Sequence, residues 1–140
     1  MGIYFGQYNR SLDEKGRLLI PKKLKGEGNK YYVLRGFEGC LSIYEEDKFL
    51  KLLEKIQNMD YFDEDSRHLI RIMSSSIQEL PLDSHGRILL GKDLLDDYRI
   101  GREVVLIGVI DHFEIWDSLA YASYQLKYSG RYEDLAQRRK

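Results

Sequence analysis

An aspartate and an arginine four positions apart, with a glycine just before the arginine, occur twice in this sequence. Asp13 and Arg17 enclose Gly16, and the same arrangement returns 70 residues later around Gly86. An aspartate at this spacing can accept hydrogen bonds from turn amides, and glycine can take the positive φ that a tight turn requires. The carboxylate can also hold the guanidinium in a charge-assisted pair. The pattern therefore predicts a rigid turn that presents an arginine.

The second copy consists of Asp83, Gly86 and Arg87, and it differs from the first at the tip of the turn. The first tip carries Lys15, and the second carries His85. A guanidinium projected from a turn suits bidentate contact with guanine O6 and N7, whereas a lysine or histidine beside it suits a phosphate. The competing interpretation is that each pair only stabilises its own turn. The spacing alone favours neither interpretation.

Two aspartates at equivalent positions also bring aspartic-protease chemistry to mind, in which paired carboxylates share a proton. That chemistry needs an aspartate followed directly by a hydroxyl residue and a glycine. Glu14 and Lys15 follow the first aspartate, and Ser84 and His85 follow the second. Carboxylates that cap turns are the favoured interpretation, and we expect no enzyme activity.

The histidines and the cysteine give no sign of a metal site or cofactor. His68, His85 and His112 share no metal-ligand spacing with one another or with Cys40. A single cysteine excludes an intrachain disulfide and is typical of a buried thiol in a reducing compartment. The start of the chain lacks signal-peptide features, and the sequence has no long apolar segment. We therefore expect a cytoplasmic protein with no membrane partner and no small-molecule substrate.

The two turns are followed by similar elements with different charges. An aliphatic run after each turn predicts a buried strand, and a short helix comes next. Residues 21–25 carry three lysines, including Lys22, whereas residues 91–98 carry three aspartates. Because Lys22 follows the first turn, we expect Lys15 and Lys22 to contact phosphates near Arg17. Contact with a polyanion should then fall more heavily on the first half.

The duplication extends beyond the turns. Residues 32–34 resemble 104–106, and residues 41–44 resemble 113–116, both at an offset of 72. Such self-similarity indicates an internal repeat. The chain of 140 residues can bury one sizeable core, so we expect a single domain made of two repeats. The predicted halves are residues 1–62 and 63–140.

Other segments complete the prediction. Residues 1–8 alternate weakly and suggest an opening strand with Ile3 and Phe5 on one face. Apolar spacing and acidic first turns predict further helices. These cover residues 46–57, a segment from Asp63 to the serines at 74–76, and residues 118–128. In the last of these, leucines and tyrosines lie on different faces, and the charged tail after it is helical or frayed.

The net charge of −1 argues against a monomer that coats nucleic acid by bulk electrostatics. Any binding to DNA must depend on local clusters of charge, multiplied by assembly of several copies.

Taken together, the paired turns, the segment 16–21 (Gly-Arg-Leu-Leu-Ile-Pro) and the segment 104–117 resemble the bacterial MraZ family. The resemblance spans nearly the whole chain. It implies an α+β fold: a duplicated double-ψ or swapped-hairpin AbrB-like β-barrel, a pseudo-dimer within one chain, flanked by short helices. The family's DNA-contacting loop would fall on Lys15 and Arg17, with Arg87 as the counterpart and with Asp13 and Asp83 in support.

The same resemblance implies a function. Members of the family are transcriptional regulators that form ring-shaped homo-oligomers and bind short G-rich direct repeats of double-stranded DNA in the promoter of the division and cell-wall gene cluster. A head-to-tail ring suits direct repeats, and linked sites raise affinity by roughly 10²–10⁴. The alternative is an antitoxin-like or scaffold module that binds a protein partner through its tyrosine-rich helices.

Overall fold

The computed structural model describes residues 2–139 and shows a mixed α+β protein. Its strands are β1 Gln7–Ser11, β2 Arg17–Leu19, β3 Lys30–Arg35, β4 Leu41–Glu45, β5 Gln78–Pro81, β6 Arg87–Leu89, β7 Glu103–Gly108 and β8 Phe113–Asp117. Its helices are α1 Glu46–Gln57, α2 Glu64–Ser76, α3 Lys92–Asp97, α4 Ser118–Tyr128 and α5 Tyr132–Arg138. Short 3-10 turns lie at Lys22–Leu24 and Ser129–Arg131.

The helices predicted after residue 45 are confirmed, whereas the short helix predicted after the first turn is only a 3-10 turn. Helix α2 begins after Asp63, whose carboxylate accepts a hydrogen bond of 3.0 Å from the backbone N–H of Ser66. Asp117 caps α4 in the same way through the N–H of Ala120, at 3.1 Å. Such caps satisfy amides that have no partner within the helix. The tail is helical over α5, and Lys140 lies outside the described residues.

Helix α4 has the two different faces that its sequence predicts. Trp116, at the end of β8, packs against Tyr121 and Tyr124 with ring centroids 5.2 and 4.8 Å away. On the other face, Leu119 and Leu126 are 80% and 84% exposed. The tyrosines therefore attach the helix to the sheet, and the leucines face solvent.

The predicted opening strand is wrong. Tyr4 is buried, forms an isolated bridge with Ile110, and packs its ring 6.1 Å from that of Phe113. Ile3 and Phe5, which the prediction placed on one face of that strand, are both more than half exposed. The first strand starts only at Gln7, after Gly6 turns the chain with a φ of 91°. Met1, part of the same prediction, lies outside the described residues.

The two repeats exchange strands. One sheet has the antiparallel order β1-β7-β8-β4-β3-β5, and the other pairs β2 with β6. Strand β1 of the first repeat therefore adds to the second repeat's hairpin, while β5 of the second adds to the first repeat's hairpin. Equivalent strands of the two repeats lie at equal distances from the two ends of the sheet: β1 and β5, β7 and β3, β8 and β4. The repeats are therefore related by a pseudo-twofold axis between β4 and β8.

The strand register corrects the offset inferred from the sequence. Ser11 pairs with Glu103, and its counterpart Pro81 pairs with Lys30, so Lys30 corresponds to Glu103, 73 residues later. Val33 is thus the counterpart of Leu106, and both are fully buried. The offset of 72 is wrong for β3 and β7 and holds for β4 and β8, because the first hairpin loop has one residue more. Short aliphatic runs look alike when shifted by one position.

One hydrophobic core joins the two repeats. Leu18 and Ile88 pair in register between β2 and β6, and both are fully buried. They lie in a single cluster with residues from the larger sheet, including Ile43, Leu106 and Phe113. The core thus holds the small two-stranded ribbon, β2 and β6, against the six-stranded sheet. This ribbon carries both predicted turns.

Candidate nucleic-acid interface

The first Asp–Arg turn, residues 13–17, is organised by one carboxylate. Asp13 Oδ1 accepts hydrogen bonds of 2.9 Å from the backbone N–H groups of Lys15 and Arg17. Its Oδ2 accepts a bond of 2.6 Å from Arg17 Nε. Gly16 donates its N–H to the Asp13 carbonyl at 3.0 Å and has a φ of 79°. Both the turn and the root of the guanidinium are therefore fixed.

The second Asp–Arg turn, residues 83–87, has the same geometry. Asp83 Oδ1 accepts from the N–H groups of His85 and Arg87 at 2.8 and 2.9 Å, and Oδ2 accepts from Arg87 Nε at 2.9 Å. Gly86 again has a φ of 79°. The two copies of the motif therefore form the same turn.

These hydrogen bonds lower the pKa of both carboxyl groups. The backbone N–H of Arg87 is the largest cause that lowers the pKa of Asp83 from 3.8 to about 2. The N–H of Arg17 likewise lowers the pKa of Asp13. Donation to an ionised acceptor stabilises the charged form. Each guanidinium uses Nε for the hydrogen bond to its own aspartate.

The two turns lie side by side because β2 and β6 pair with each other. The N–H of Ile20 donates to the Gly86 carbonyl at 3.1 Å, and the N–H of Leu90 donates to the Gly16 carbonyl at 2.9 Å. Each strand therefore leaves its own turn and runs past the turn of the other repeat. The closest charged contact between the turns is Arg87 Nη1 to Asp13 Oδ2, at 3.9 Å.

The outer face of the ribbon combines two arginines with two leucines. Side chains alternate along a strand, so Arg17 and Leu19 share the face opposite buried Leu18. In register, Arg17 faces Leu89, and Leu19 faces Arg87. Leu19 and Leu89 are 57% and 53% exposed, although the sequence predicted a buried run at these positions. The alternation within three residues is too short to predict from the sequence.

The helices that flank the turns are also exchanged. A Cβ at Gly16 would lie 3.0 Å from Leu95 Cδ1, which belongs to α3 of the second repeat. A Cβ at Gly86 would lie 3.8 Å from Nζ of Lys25, which belongs to the first repeat. The structure thus places Lys25 of the basic segment beside the second turn, although that segment follows the first turn in the chain. Because β2 pairs with β6, the segment that follows each of these strands lies beside the turn of the other repeat.

A shallow cavity of about 340 Å³ separates α3 from the first turn. It is lined by residues 12–16, and also by Lys92, Asp96 and Arg102 among others. Positive and negative side chains are mixed in this lining. The first turn thus lies beside a segment that carries both signs of charge.

The predicted site residues fall into two groups. Asp13, Gly16 and Arg17 meet Asp83, Gly86 and Arg87 across the ribbon. The other three are exposed around it: Lys15 and His85 at the tips, and Lys22 at the start of a 3-10 turn. Sequence reasoning missed Lys25, Leu19 and Leu89. Their positions depend on which strands pair, and the sequence pattern does not contain that information.

Within residues 2–139, no cluster of histidine, cysteine, aspartate or glutamate side chains has the arrangement of a metal site. In the same part of the chain, no helix is long and apolar enough to span a membrane.

Comparison with known proteins gives a consistent result. The model of the family described as "MraZ protein, putative antitoxin-like" matches residues 3–72 and again residues 73–139. A protein of Mesoplasma florum named "Transcriptional regulator MraZ" is 35% identical over 137 residues, which cover 96% of this chain and 94% of the relative. Its namesake in Moorella thermoacetica is 33% identical over 137 residues, covering 97% and 96%. This chain belongs to the MraZ family.

Proposed function

We propose that this chain is a transcription regulator that binds double-stranded DNA in a sequence-specific manner through the outer face of the β2–β6 ribbon. The observation that carries the proposal is the pair of guanidiniums, each fixed at Nε by its own aspartate and each mounted on the same ribbon. The relatives named as transcriptional regulators support the same conclusion.

The geometry suits recognition of bases. The major groove admits a two-stranded ribbon, and an arginine can bond guanine O6 and N7 at once, which contributes roughly 1–3 kcal/mol of discrimination. An arginine already held in place loses less conformational entropy on binding. Leu19 and Leu89 offer apolar contact with thymine methyl groups. Lys15, Lys22 and His85 lie around the ribbon, where contacts with phosphate would orient the protein.

We further propose the target and the assembly that the family resemblance implies. The target is a set of short G-rich direct repeats in the promoter of the division and cell-wall gene cluster. The chain acts as a ring-shaped homo-oligomer, because a net charge of −1 gives one protomer little general attraction for DNA. Adjacent protomers would present their ribbons at the spacing of the repeats. The protein would then work in the cytoplasm, associated with the nucleoid.

The proposal includes the architecture. We assign the chain to one domain of two repeats, residues 1–62 and 63–140, which form an AbrB-like swapped-hairpin barrel. The exchange of β1 and β5 between the hairpins and the single core support this assignment. A pseudo-dimer within one chain would give two related Asp–Arg turns on one ribbon.

A titration of fluorescent DNA tests the function. Anisotropy is measured with a promoter fragment and a scrambled fragment of equal length, for wild type and for Arg17→Ala. Wild type should prefer the promoter, and the variant should lose that preference while retaining its oligomeric state in analytical ultracentrifugation. Arg138→Ala, which removes an exposed arginine from α5, is the matched control and should bind like wild type.

Unchanged promoter preference in Arg17→Ala would overturn this role of the ribbon. If wild type binds both fragments alike, the second candidate takes its place: an antitoxin-like or scaffold module. The exposed leucines of α4, Leu119 and Leu126, favour that candidate, as does the family description. It predicts a stoichiometric protein complex that forms without DNA and is lost in Leu126→Ser.

A further inference from the structure

We propose that the second Asp–Arg turn is the main phosphate anchor of the ribbon and that Lys25, contributed by the first repeat, is the residue that makes it so. The inference rests on the proposed function, since it assigns unequal duties to the two turns of the same DNA-binding surface. It reverses the expectation drawn from the order of residues along the chain.

The first observation is the position of Lys25. Its Nζ lies 3.8 Å from where a Cβ would stand at Gly86, between His85 and Arg87. The side chain is exposed, and it forms no ion pair with any carboxylate of residues 2–139. Lys30, by contrast, pairs with Glu46 and Glu79 at 3.5 and 3.6 Å. Lys25 thus places a positive charge beside the second turn.

The second observation is what occupies the same place at the first turn. There, α3 packs Leu95 against Gly16, and Asp96 lines the adjoining cavity. Helix α3 carries three aspartates and one lysine, whereas residues 22–25 carry three lysines and no acid. The tips add to the difference, because Glu14 stands at the first and Ser84 at the second.

These differences matter to a polyanion. Each phosphate neutralised by a lysine releases counterions, so the affinity for DNA falls more steeply with salt as phosphate contacts are added. A lysine beside a turn adds such a contact, whereas Leu95 in that place adds none and the nearby Asp96 repels phosphate. The two arginines can read bases alike while the second turn holds the backbone more tightly.

The test is a salt titration of DNA binding by the full-length protein. Affinity for the promoter fragment and for the scrambled fragment is measured from 50 to 300 mM KCl, chosen to span about a sixfold range of salt. Lys25→Ala should weaken binding to both fragments by a similar factor and reduce the slope of log K against log salt by about 0.9. Lys23→Ala is the matched control, because Lys23 has no atom within 4 Å of the Cβ position at Gly86 and should change the slope less.

A second variant reverses a charge beside the first turn. Asp96→Lys replaces a carboxylate in a lining that already holds Lys15 and Lys92, and should strengthen binding to both fragments and steepen the salt slope. Asp93→Lys makes the same charge change on the same helix, outside the cavity lining, and serves as its control. Neither Lys25 nor Asp96 is buried, so both variants should fold.

The outcomes separate the two proposals. If Lys25→Ala leaves the slope unchanged while Arg17→Ala still abolishes the preference for the promoter, the unequal anchoring is wrong and the proposed function stands. If Asp96→Lys behaves like Asp93→Lys, the assignment also fails. If wild type does not distinguish the promoter from the scrambled fragment, the proposed function itself fails.

Discussion

The two Asp–Arg turns have the same hydrogen bonds and different surroundings. In each, one carboxylate oxygen accepts two backbone N–H groups, and the other accepts the arginine Nε. Around them, Gly16 is packed against Leu95, whereas Gly86 has the ammonium of Lys25 as a neighbour. A motif can therefore be conformationally identical in two places and still have different binding properties.

The difference teaches where each property is encoded. The shape of a turn is fixed by five consecutive residues, so both copies preserve it. The electrostatic potential around each turn depends on a segment from the other repeat. The charges of these two segments differ. Three pairs of variants, each with one change per repeat, test whether the two turns differ in this way.

The largest effects are expected in the core beneath the turns, where the repeats should be equivalent. Leu18 and Ile88 are fully buried and pair with each other. Leu18→Ala and Ile88→Ala should each lower the free energy of unfolding by about 2–5 kcal/mol, because each leaves a cavity in the same cluster. Urea unfolding measures both. A loss below about 1 kcal/mol in only one variant would show that the repeats do not share the core equally.

Alanine substitutions at Gly16 and Gly86 should affect the stability of the two turns differently. Both have a φ of 79°, so alanine at either position costs about 1–2 kcal/mol of backbone strain. A Cβ at Gly16 would also lie 3.0 Å from Leu95 Cδ1 and 3.3 Å from the backbone nitrogen of Gly91, while the nearest atom at Gly86 is 3.7 Å away. Gly16→Ala should therefore be the more destabilising in urea unfolding. Equal losses would contradict the tighter packing of the first turn.

A control for these alanines is available outside the turns. Gly130 has no positive φ, and nothing lies within 4 Å of its Cβ position. Gly130→Ala should leave the free energy of unfolding nearly unchanged.

The smallest effects are expected from the turn carboxylates, and they depend on pH. The folded state lowers the pKa of Asp83 from 3.8 to about 2. Its ionised form thus contributes stability above the ordinary pKa, and the contribution disappears as pH falls through about 2. Asp83→Asn should lower Tm at pH 7 and make the fall in Tm between about pH 4 and 2 shallower.

Asp13→Asn should change Tm in the same direction, since the pKa of Asp13 is also lowered. A fall in Tm as steep as that of wild type in both variants would show that the turn carboxylates do not contribute to acid sensitivity.

The sequence predicted what depends on near neighbours. The turns follow from the spacing of aspartate, glycine and arginine, and α2 follows from Asp63 and the acidic residues after it. The arginines as candidate site residues came from the same local pattern. Their carboxylate partners lie within four positions in the chain, so no tertiary information was needed.

What escaped prediction depends on contacts between distant strands. The burial of Tyr4 follows from its bridge with Ile110 and its packing on Phe113, more than 100 residues away. Placement of Lys25 follows from the pairing of β2 with β6. Hydrophobic patterns identify the strands, but which strands pair depends on the whole fold. Shifting the alignment of β3 with β7 by one residue changes the match of aliphatic residues very little, although it reverses which side chains are buried.

The strand exchange has a consequence for how the protein forms in the cell. Strand β1 is among the first segments made, yet it pairs with β7, whose residues leave the ribosome roughly a hundred codons later. Strand β5 must in turn pair back with β3. Contacts so far apart in the chain slow folding, because the intervening loop must be ordered before they form. The first repeat therefore cannot complete its strand pairing until β7 has been synthesised.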